Sequence, residues 1–323
     1  MKLETWNLDG NTIAGVNVAF FGTPDFAVPA LEALVRSRHR VVVVIAQPDR
    51  PAGRGMKLKR PPGAERALDL GLPLAQPERI RERSFLEWFG GLGVDAGVVV
   101  AYGRILPPDL IALPPHGLIN LHGSLLPKYR GAAPIQRAIE QGDTVTGATI
   151  MRIDEQLDHG PILASHALGI DPDERTPSLA ERMAREGAGL LVETLTSLED
   201  GTIREIPQAH QEATFAGKIE KEEGRIDWTL PAKRIYDRFR AFWPWPGIFT
   251  EIRGESVKLI ELSWSAGGTE EPGRILSFEG NRAAIATPEG VVMIERMQRP
   301  GKTPVDAAAF LRALDLGAGD SLR

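Results

Sequence analysis

The sequence predicts a doubly wound α/β domain followed by a small β-barrel. Three observations carry that prediction. Short apolar runs alternate with amphipathic stretches through the first two-thirds of the chain, as strands and covering helices do in a parallel sheet. Beyond about residue 200 the pattern changes to short β-rich runs separated by Gly- and Pro-containing turns. The chain has 323 residues, against about 150 for an average domain, so two domains are expected.

The elements follow in order. VNVAFF at 16–21 reads as a buried strand, and Thr23-Pro24 supplies turn chemistry directly after it. Pro29 suits a helical first turn, with Leu31, Leu34 and Val35 spaced to share one face. VVVVIA at 41–46 is a second strand, unbroken in its apolar character because helices cover both faces of a parallel sheet. GVVVA at 97–101, LINL at 118–121 and ATIMRI at 148–153 continue the series, with helices at 132–141 and 178–198. Residues 201–218 are polar and irregular and read as a linker. Short strands are expected at 249–252, 257–262, 274–278, 283–286 and 291–295, closed by a helix over 303–314.

Composition narrows the function classes. Net charge is −5, so any nucleic-acid contact must come from a local patch. There are no cysteines, which excludes disulfides, thiolate metal sites and a cysteine nucleophile. No apolar run is long enough for a membrane span, and the N-terminal residues resemble neither a secretory signal nor a transit peptide. A cytoplasmic protein is the expectation.

The densest chemical cluster is NLHGSLLP at 120–127. Asn120 and His122 fall on one face of the 118–121 strand region, because strand side chains alternate. They also lie at its carboxyl end, where open α/β sheets place ligands. Asp158 stands in a second turn-rich stretch, LDHGP at 157–161. An Asn, a His and an Asp in one cleft suit acyl transfer without a covalent enzyme intermediate. The amide donates to an oxyanion, the imidazole carries a proton, and the carboxylate orients and charges the imidazole. Taken alone, any one of these residues is more often a cap or a packing residue. His39, His116, His166 and His210 have no such company and read as structural or surface residues, while His159 is undecided.

The stretch 120–134 (NLHGSLLPKYRGAAP), followed by Asp158, resembles the formyltransferase family that uses 10-formyltetrahydrofolate, whose members include glycinamide ribonucleotide and sugar-amine enzymes. FGTPDF at 21–26, QPDRPAGRGMK at 47–57 and AFWPWPG at 241–247 narrow the resemblance to the branch acting on methionyl-tRNA. It runs from about residue 16 to about residue 314. The resemblance implies a Rossmann-like formyltransferase domain over 16–203, a linker over 204–222 and an OB-like tRNA-binding domain over 223–323. Residues 1–15 have no counterpart in it.

By that resemblance Asn120, His122 and Asp158 are the catalytic three. The co-substrate is 10-formyltetrahydrofolate, no metal is involved, and the acceptor is initiator methionyl-tRNA. Folate contacts are expected from two loops, 101–106 and 153–158, with Tyr102, Gly103, Arg104, Ile105 and Leu106 in the first. The turn Ser124, Leu125, Leu126 and Pro127 belongs to the same set, although Ser124 equally reads as the anchor of its turn. Arg104 either reaches the acidic folate tail or is solvated.

The stretch 47–62 carries Arg50, Arg54, Lys57, Lys59 and Arg60 against one acid, Asp49. Alone it reads as solvated surface. The resemblance makes it an insertion that engages the acceptor end of tRNA, with Arg54 foremost. Lys233, Arg234, Arg238 and Arg240 either flank a tRNA surface or form a solvated helix face, and the neighbouring tryptophans are expected to pack. A monomer without membrane association is expected. His159 departs from the small polar residue frequent at its position. A dinucleotide oxidoreductase is excluded because the turn after the first strand lacks G-x-G-x-x-G and carries Pro24. The remaining rivals are a formyltransferase for a nucleotide-linked amino sugar and a non-catalytic folate- or tRNA-binding protein.

Overall fold

The computed structural model describes residues 15–52, 55, 57–268 and 271–322, which form two compact units. The first contains residues up to 134, 145–169 and 180–216; the second contains 135–144, 170–179 and the chain from 217. Arg54, the foremost tRNA candidate, lies outside the described residues.

The chain opens with β1 (Asn17–Gly22), α1 (Val28–Arg36) and β2 (Arg40–Ile45). The basic stretch then forms a hairpin of β3 (Arg50–Ala52) and β4 (Lys57–Lys59), followed by α2 (Pro62–Asp69) and β5 (Leu74–Ala75). Next come α3 (Arg83–Gly90), β6 (Ala96–Val100), α4 (Pro108–Ile111), β7 (Leu118–His122), β8 (Arg130–Gly131) and α5 (Pro134–Gln141). Strands β9 (Val145–Arg152) and β10 (Ile162–Gly169), the long α6 (Thr176–Glu199) and β11 (Phe215–Ala216) complete this part.

The main sheet has the order β10-β9-β7-β6-β1-β2-β5. Strands β5, β2, β1, β6 and β7 run parallel, and the apolar runs NVAFFG, RVVVVI and AGVVV fill its interior as expected for strands covered on both faces. The chain leaves β1 toward β2 on one side, whereas it leaves β6, the other neighbour of β1, toward β7 on the opposite side. The carboxyl ends of these two strands therefore flank a topological switch point. On one face Phe21, Phe89 and Tyr102 meet as tilted and edge-on rings, with centroids 5.8 Å (Phe21–Phe89) and 5.5 Å (Phe21–Tyr102) apart. Each aromatic buried there contributes about 2–3 kcal/mol over exposure.

Two expectations need correction. The 148–153 run does not extend a parallel series: β9 is antiparallel to β7, and β10 antiparallel to β9. Strand β10 is the edge of the sheet and keeps Ser165, His166 and Ala167 exposed, as an antiparallel edge tolerates where an interior parallel strand does not. The irregular stretch after α6 also carries sheet structure. Ile206 bridges to Ile162, and β11 pairs in parallel with β8.

In the second unit α7 (Ala232–Ala241) is followed by β12 (Ile248–Ile252), β13 (Glu255–Ser265), β14 (Ile275–Glu279), β15 (Arg282–Ala286), β16 (Val291–Gln298), β17 (Val305–Asp306) and α8 (Ala307–Arg312). Its antiparallel sheet has the order β12-β13-β16-β15-β14, with β17 on β16. Arg137 hydrogen-bonds Glu223 at 2.7 Å and Glu140 at 2.8 Å, and the first of these contacts holds the Glu223 carboxyl below the ordinary carboxylate range.

The basic residues of α7 do not form a solvated face. Arg240 is buried, donates to Asp237 at 2.6 Å and caps Glu174 O at 3.0 Å. Arg238 donates to Glu223 O and lies 3.7 Å from Glu140, and Arg234 donates to Glu140 O at 2.6 Å. Each of these three guanidinium groups has at least one acceptor within the second unit. Of the tryptophans expected to pack, Trp243 lies under Arg175 at 4.7 Å, but Trp245 is 57% exposed.

Candidate active site

The site is built on the carboxyl end of β7 and the loops beside it. His122 is the last residue of β7 and is buried; Asn120, two residues earlier, is half-buried on the same strand face. The His122 Nε2 atom lies 2.9 Å from Tyr129 O. A carbonyl only accepts, so Nε2 carries the proton and Nδ1 is the nitrogen turned toward Asp158. Nδ1 lies 3.7 Å from Asp158 Oδ2, facing the carboxylate but too far from it for a hydrogen bond.

Asp158 adopts φ +46°, in the left-handed region that non-glycine residues seldom occupy. Its Oδ2 accepts from the Gly131 N–H at 2.8 Å. Gly131 itself has φ +124°, and a Cβ there would stand 2.6 Å from Ala216 O, so β8 and β11 approach too closely for a side chain. Beyond Asp158, a Cβ on Gly160 would meet Arg152 O at 2.1 Å. The Asp158 turn is thus squeezed between neighbouring backbones.

Residues 206–216, which the sequence presented as a linker, run along this constellation. The Tyr129 N–H donates to Thr214 Oγ1 at 2.8 Å, and the Arg130 N–H donates to Thr214 O at 2.8 Å. The Gln208 amide donates to Asp158 O at 2.9 Å and Gly160 O at 2.7 Å. Its Oε1 accepts from Arg130 Nε and Nη2 at 3.1 and 2.7 Å. His210, expected to stand alone, does not: its ring stacks on His159 with centroids 4.0 Å apart, and its Nδ1 accepts from Arg130 Nη2 at 2.9 Å. Loss of hydration, then the charges of His159 and Arg130, lower the His210 pKa, which suits an accepting nitrogen. His159 hydrogen-bonds Asp154 at 2.7 Å. Of these residues Gln208 and Thr214 carried no signal in the sequence, being an amide and a hydroxyl in a polar stretch, and Tyr129 and Gly131 fell within the 120–134 stretch without being singled out, because they act through backbone groups.

The 101–106 loop follows β6 at the switch point. Tyr102 contributes its side chain to the core and its carbonyl to Gln47 Nε2 (2.8 Å) and Thr23 Oγ1 (3.1 Å). The Tyr102 hydroxyl is buried, and burial raises its pKa. Gly103 and Ile105 are exposed, Leu106 is buried, and Arg104 donates to Pro77 O and Glu78 O at 3.0 and 2.8 Å. Arg104 is therefore neither free nor merely solvated. Ile105 and Arg104 border an open cleft of about 570 Å³ with Glu78, Arg79, Ile80 and Glu82. In the 124–127 turn Ser124 is fully buried and donates to Lys128 O at 2.6 Å, the anchoring role. Leu126 is buried, whereas Leu125 and Pro127 are half-buried.

The β3–β4 hairpin stands apart from this constellation. Lys57 and Lys59 are exposed, Arg50 lies 3.9 Å from Glu78, and Arg60 lies 4.0 Å from Asp49. Among the described residues no group of three or more His, Cys, Asp or Glu could hold a metal ion, and no helix is long and apolar enough to cross a membrane.

Comparison with known proteins bears on this geometry. The chain matches the family model described as formyl transferase over residues 16–195, and that described as formyl transferase, C-terminal domain, over 218–315. It is 46% identical to a methionyl-tRNA formyltransferase of Anaeromyxobacter dehalogenans over 304 residues, covering 92% of this chain and 97% of that one. A methionyl-tRNA formyltransferase of Heliobacterium modesticaldum is 42% identical over 313 residues, covering 94% and 99%. Among solved structures, the sugar 3N-formyl transferase WlaRD shares the fold at TM-score 0.64 and 18% identity, covering 90% of this chain and all (100%) of that one. HypX from Aquifex aeolicus, solved in complex with tetrahydrofolic acid, superposes at TM-score 0.61 and 18% identity over 92% of this chain and 47% of that one.

Proposed function

The chain belongs to the methionyl-tRNA formyltransferase family, and on that premise we propose that it transfers the formyl group of 10-formyltetrahydrofolate to the amino group of initiator methionyl-tRNA. The observation that carries the reading is the grouping of His122, Asp158 and Asn120 at the carboxyl end of β7, beside the switch point of the sheet.

The acceptor amine attacks the formyl carbon held on N10 of the folate. A C–N bond forms and the formyl oxygen takes up negative charge in a tetrahedral intermediate. The Asn120 amide and the His122 imidazolium stabilise that oxygen. With Nε2–H committed to Tyr129 O, Nδ1 is the His122 nitrogen available to the reacting groups, on the side that faces Asp158. Collapse breaks the bond to N10, and the proton lost by the amine ends on N10. Asp158, fixed by Gly131, orients His122 through both events.

The folate lies along the 101–106 and 153–158 loops, where backbone groups and the exposed Gly103 and Ile105 face the switch point. The tRNA acceptor end meets the β3–β4 hairpin, whose exposed Lys57 and Lys59 suit phosphate contacts. The antiparallel sheet of the second unit is read as an OB-like platform for the same RNA. Because Arg234 and Arg238 are engaged within that unit, the hairpin carries most of the proposed RNA contact.

The test is formyl incorporation, read by mass, into charged initiator tRNA, charged elongator methionine tRNA and a nucleotide-linked amino sugar. Formylation of the initiator alone, lost in His122→Ala, is expected. Formylation of the sugar alone would overturn the acceptor assignment. No transfer to any acceptor, by folded protein that still binds folate, would overturn the enzymatic reading.

A further inference from the structure

Gln208 is an uncharged residue in a stretch whose sequence shows no function, yet it is buried and has every hydrogen-bonding capacity of its amide in use. Both amide hydrogens go to carbonyls of the Asp158 turn, Asp158 O at 2.9 Å and Gly160 O at 2.7 Å. Both lone-pair directions of Oε1 go to the buried Arg130 guanidinium at 3.1 and 2.7 Å. With two carbonyls on one side and two N–H donors on the other, only one orientation of the amide fits.

The turn it grips needs holding. Asp158 sits at φ +46°, and a non-glycine residue stays in that region only where its surroundings determine it from several sides. Gly131 N–H fixes the carboxylate. Gln208 fixes the carbonyl of the same residue and that of Gly160 two positions on. Arg130, immediately before Gly131, closes the circuit by holding Gln208. The backbone donor to the carboxylate and the side chain that holds the Gln208 clamp therefore come from adjacent residues of β8. A second route runs from Arg130 through His210 to the stacked His159 of the same turn.

We propose that Gln208 is a positioning residue, which sets the Asp158 carboxylate against His122 while touching neither substrate. The inference rests on the role proposed above for Asp158. Glutamine suits the position because no other side chain of that length offers two donors and two acceptors at one end. Glutamate would keep the acceptor for Arg130 and set a charged oxygen against two carbonyls. Methionine would keep the length and remove both functions.

Gln208→Met and Gln208→Glu, assayed as the full-length enzyme with 10-formyltetrahydrofolate and methionyl-tRNA, separate the alternatives. Both variants are expected to lose about 10- to 100-fold in kcat, the scale of a misplaced catalytic group, with each KM within about twofold of the parent. In an Asp158→Asn background, assayed at high enzyme concentration, Gln208→Met is expected to cost less than about threefold further, since its effect passes through the carboxylate. Unchanged kcat in Gln208→Met would overturn the proposal, as would kcat and KM deteriorating together. Parent-like kcat in Gln208→Glu would show that only the Arg130 contact matters and would also overturn it. Should Gln208→Met fail to melt cooperatively, Gln208→Glu supplies the test, because it retains an acceptor for Arg130. The two readings fail separately. A parent enzyme that transfers no formyl, or a fully active Asp158→Asn, removes the role of Asp158 itself. An inert Gln208→Met beside a crippled Asp158→Asn removes only the clamp.

Discussion

Asp158 is held through its carboxylate by Gly131 and through its carbonyl by Gln208, whereas Arg50 and Arg60 of the basic hairpin approach their nearest acids only at 3.9 and 4.0 Å, near the surface. Both regions project from the same sheet, and they serve different physics. A group that meets a transition state must stand within a few tenths of an ångström of its place, so its scaffold is over-determined. A cation that meets a phosphate works through a field of longer reach, and water around it costs little until the partner arrives. The contrast implies that substitutions near Asp158 change kcat, and that substitutions on the hairpin change KM for tRNA.

The largest expected effect is at the chemical end. His122→Ala should lower kcat by about 10²–10⁴-fold with little change in the affinity for either substrate, measured by single-turnover formyl transfer and by direct binding. A His122→Ala enzyme that keeps its kcat and loses tRNA affinity would dissolve the contrast altogether.

Next is Gly131→Ala. The added methyl would stand 2.6 Å from Ala216 O at a backbone φ of +124°, so β8 and β11 must part. The N–H that fixes Asp158 moves with them. A kcat loss of about 10- to 100-fold is expected, together with about 1–3 kcal/mol of lost stability in thermal unfolding. Stability lost without any loss of kcat would show that the β8–β11 pairing supports the fold and not the catalytic carboxylate.

These two predictions differ in how much of them could be read from sequence. The parallel strands were legible because an interior strand is apolar through most of its length, as VNVAFF, VVVVIA and GVVVA are in the sequence. Asn120, His122 and Asp158 stood out because titratable and amide side chains at a strand end have a small set of uses, and because the stretch around them resembles a known pattern. Gly131 carried only half of its meaning, since its conformation depends on β11, which lies some eighty residues later in the chain. Gln208, Thr214 and the Tyr129 carbonyl were not legible. Their work is done by backbone atoms and neutral polar groups whose partners are remote in sequence. The antiparallel turn of β9 and β10 was missed because a half-exposed edge strand loses the apolar run that announces its neighbours. The burial of Arg240 was missed because a helix face rich in Lys and Arg looks solvated until Asp237 and the Glu174 carbonyl are brought beside it.

On the hairpin, the triple reversal Arg50→Glu, Lys57→Glu and Lys59→Glu should raise KM for methionyl-tRNA roughly tenfold at about 0.15 M salt while kcat at saturation stays within about twofold. All three residues are exposed, so the thermal midpoint should reflect less than about 0.5 kcal/mol. An equal fall in kcat would mean that the hairpin also places the acceptor end against His122, and the division of labour between the two regions would then be only partial.

The smallest effect is also the most diagnostic of mechanism. Lys59→Gln removes one exposed cation and leaves the fold of the hairpin backbone unchallenged. The affinity for tRNA should fall only about two- to fivefold at moderate salt, but the slope of log affinity against log salt should become shallower by about one. That change of slope is the signature of a single phosphate left unneutralised, so that its counterions are no longer released on binding. A clamp of hydrogen bonds like that around Asp158 would not produce it. If the slope of Lys59→Gln matches that of the parent while affinity falls, the lysine contributes through shape or a specific base contact. The hairpin would then be a pre-organised element like the catalytic turn, built for geometry more than for field.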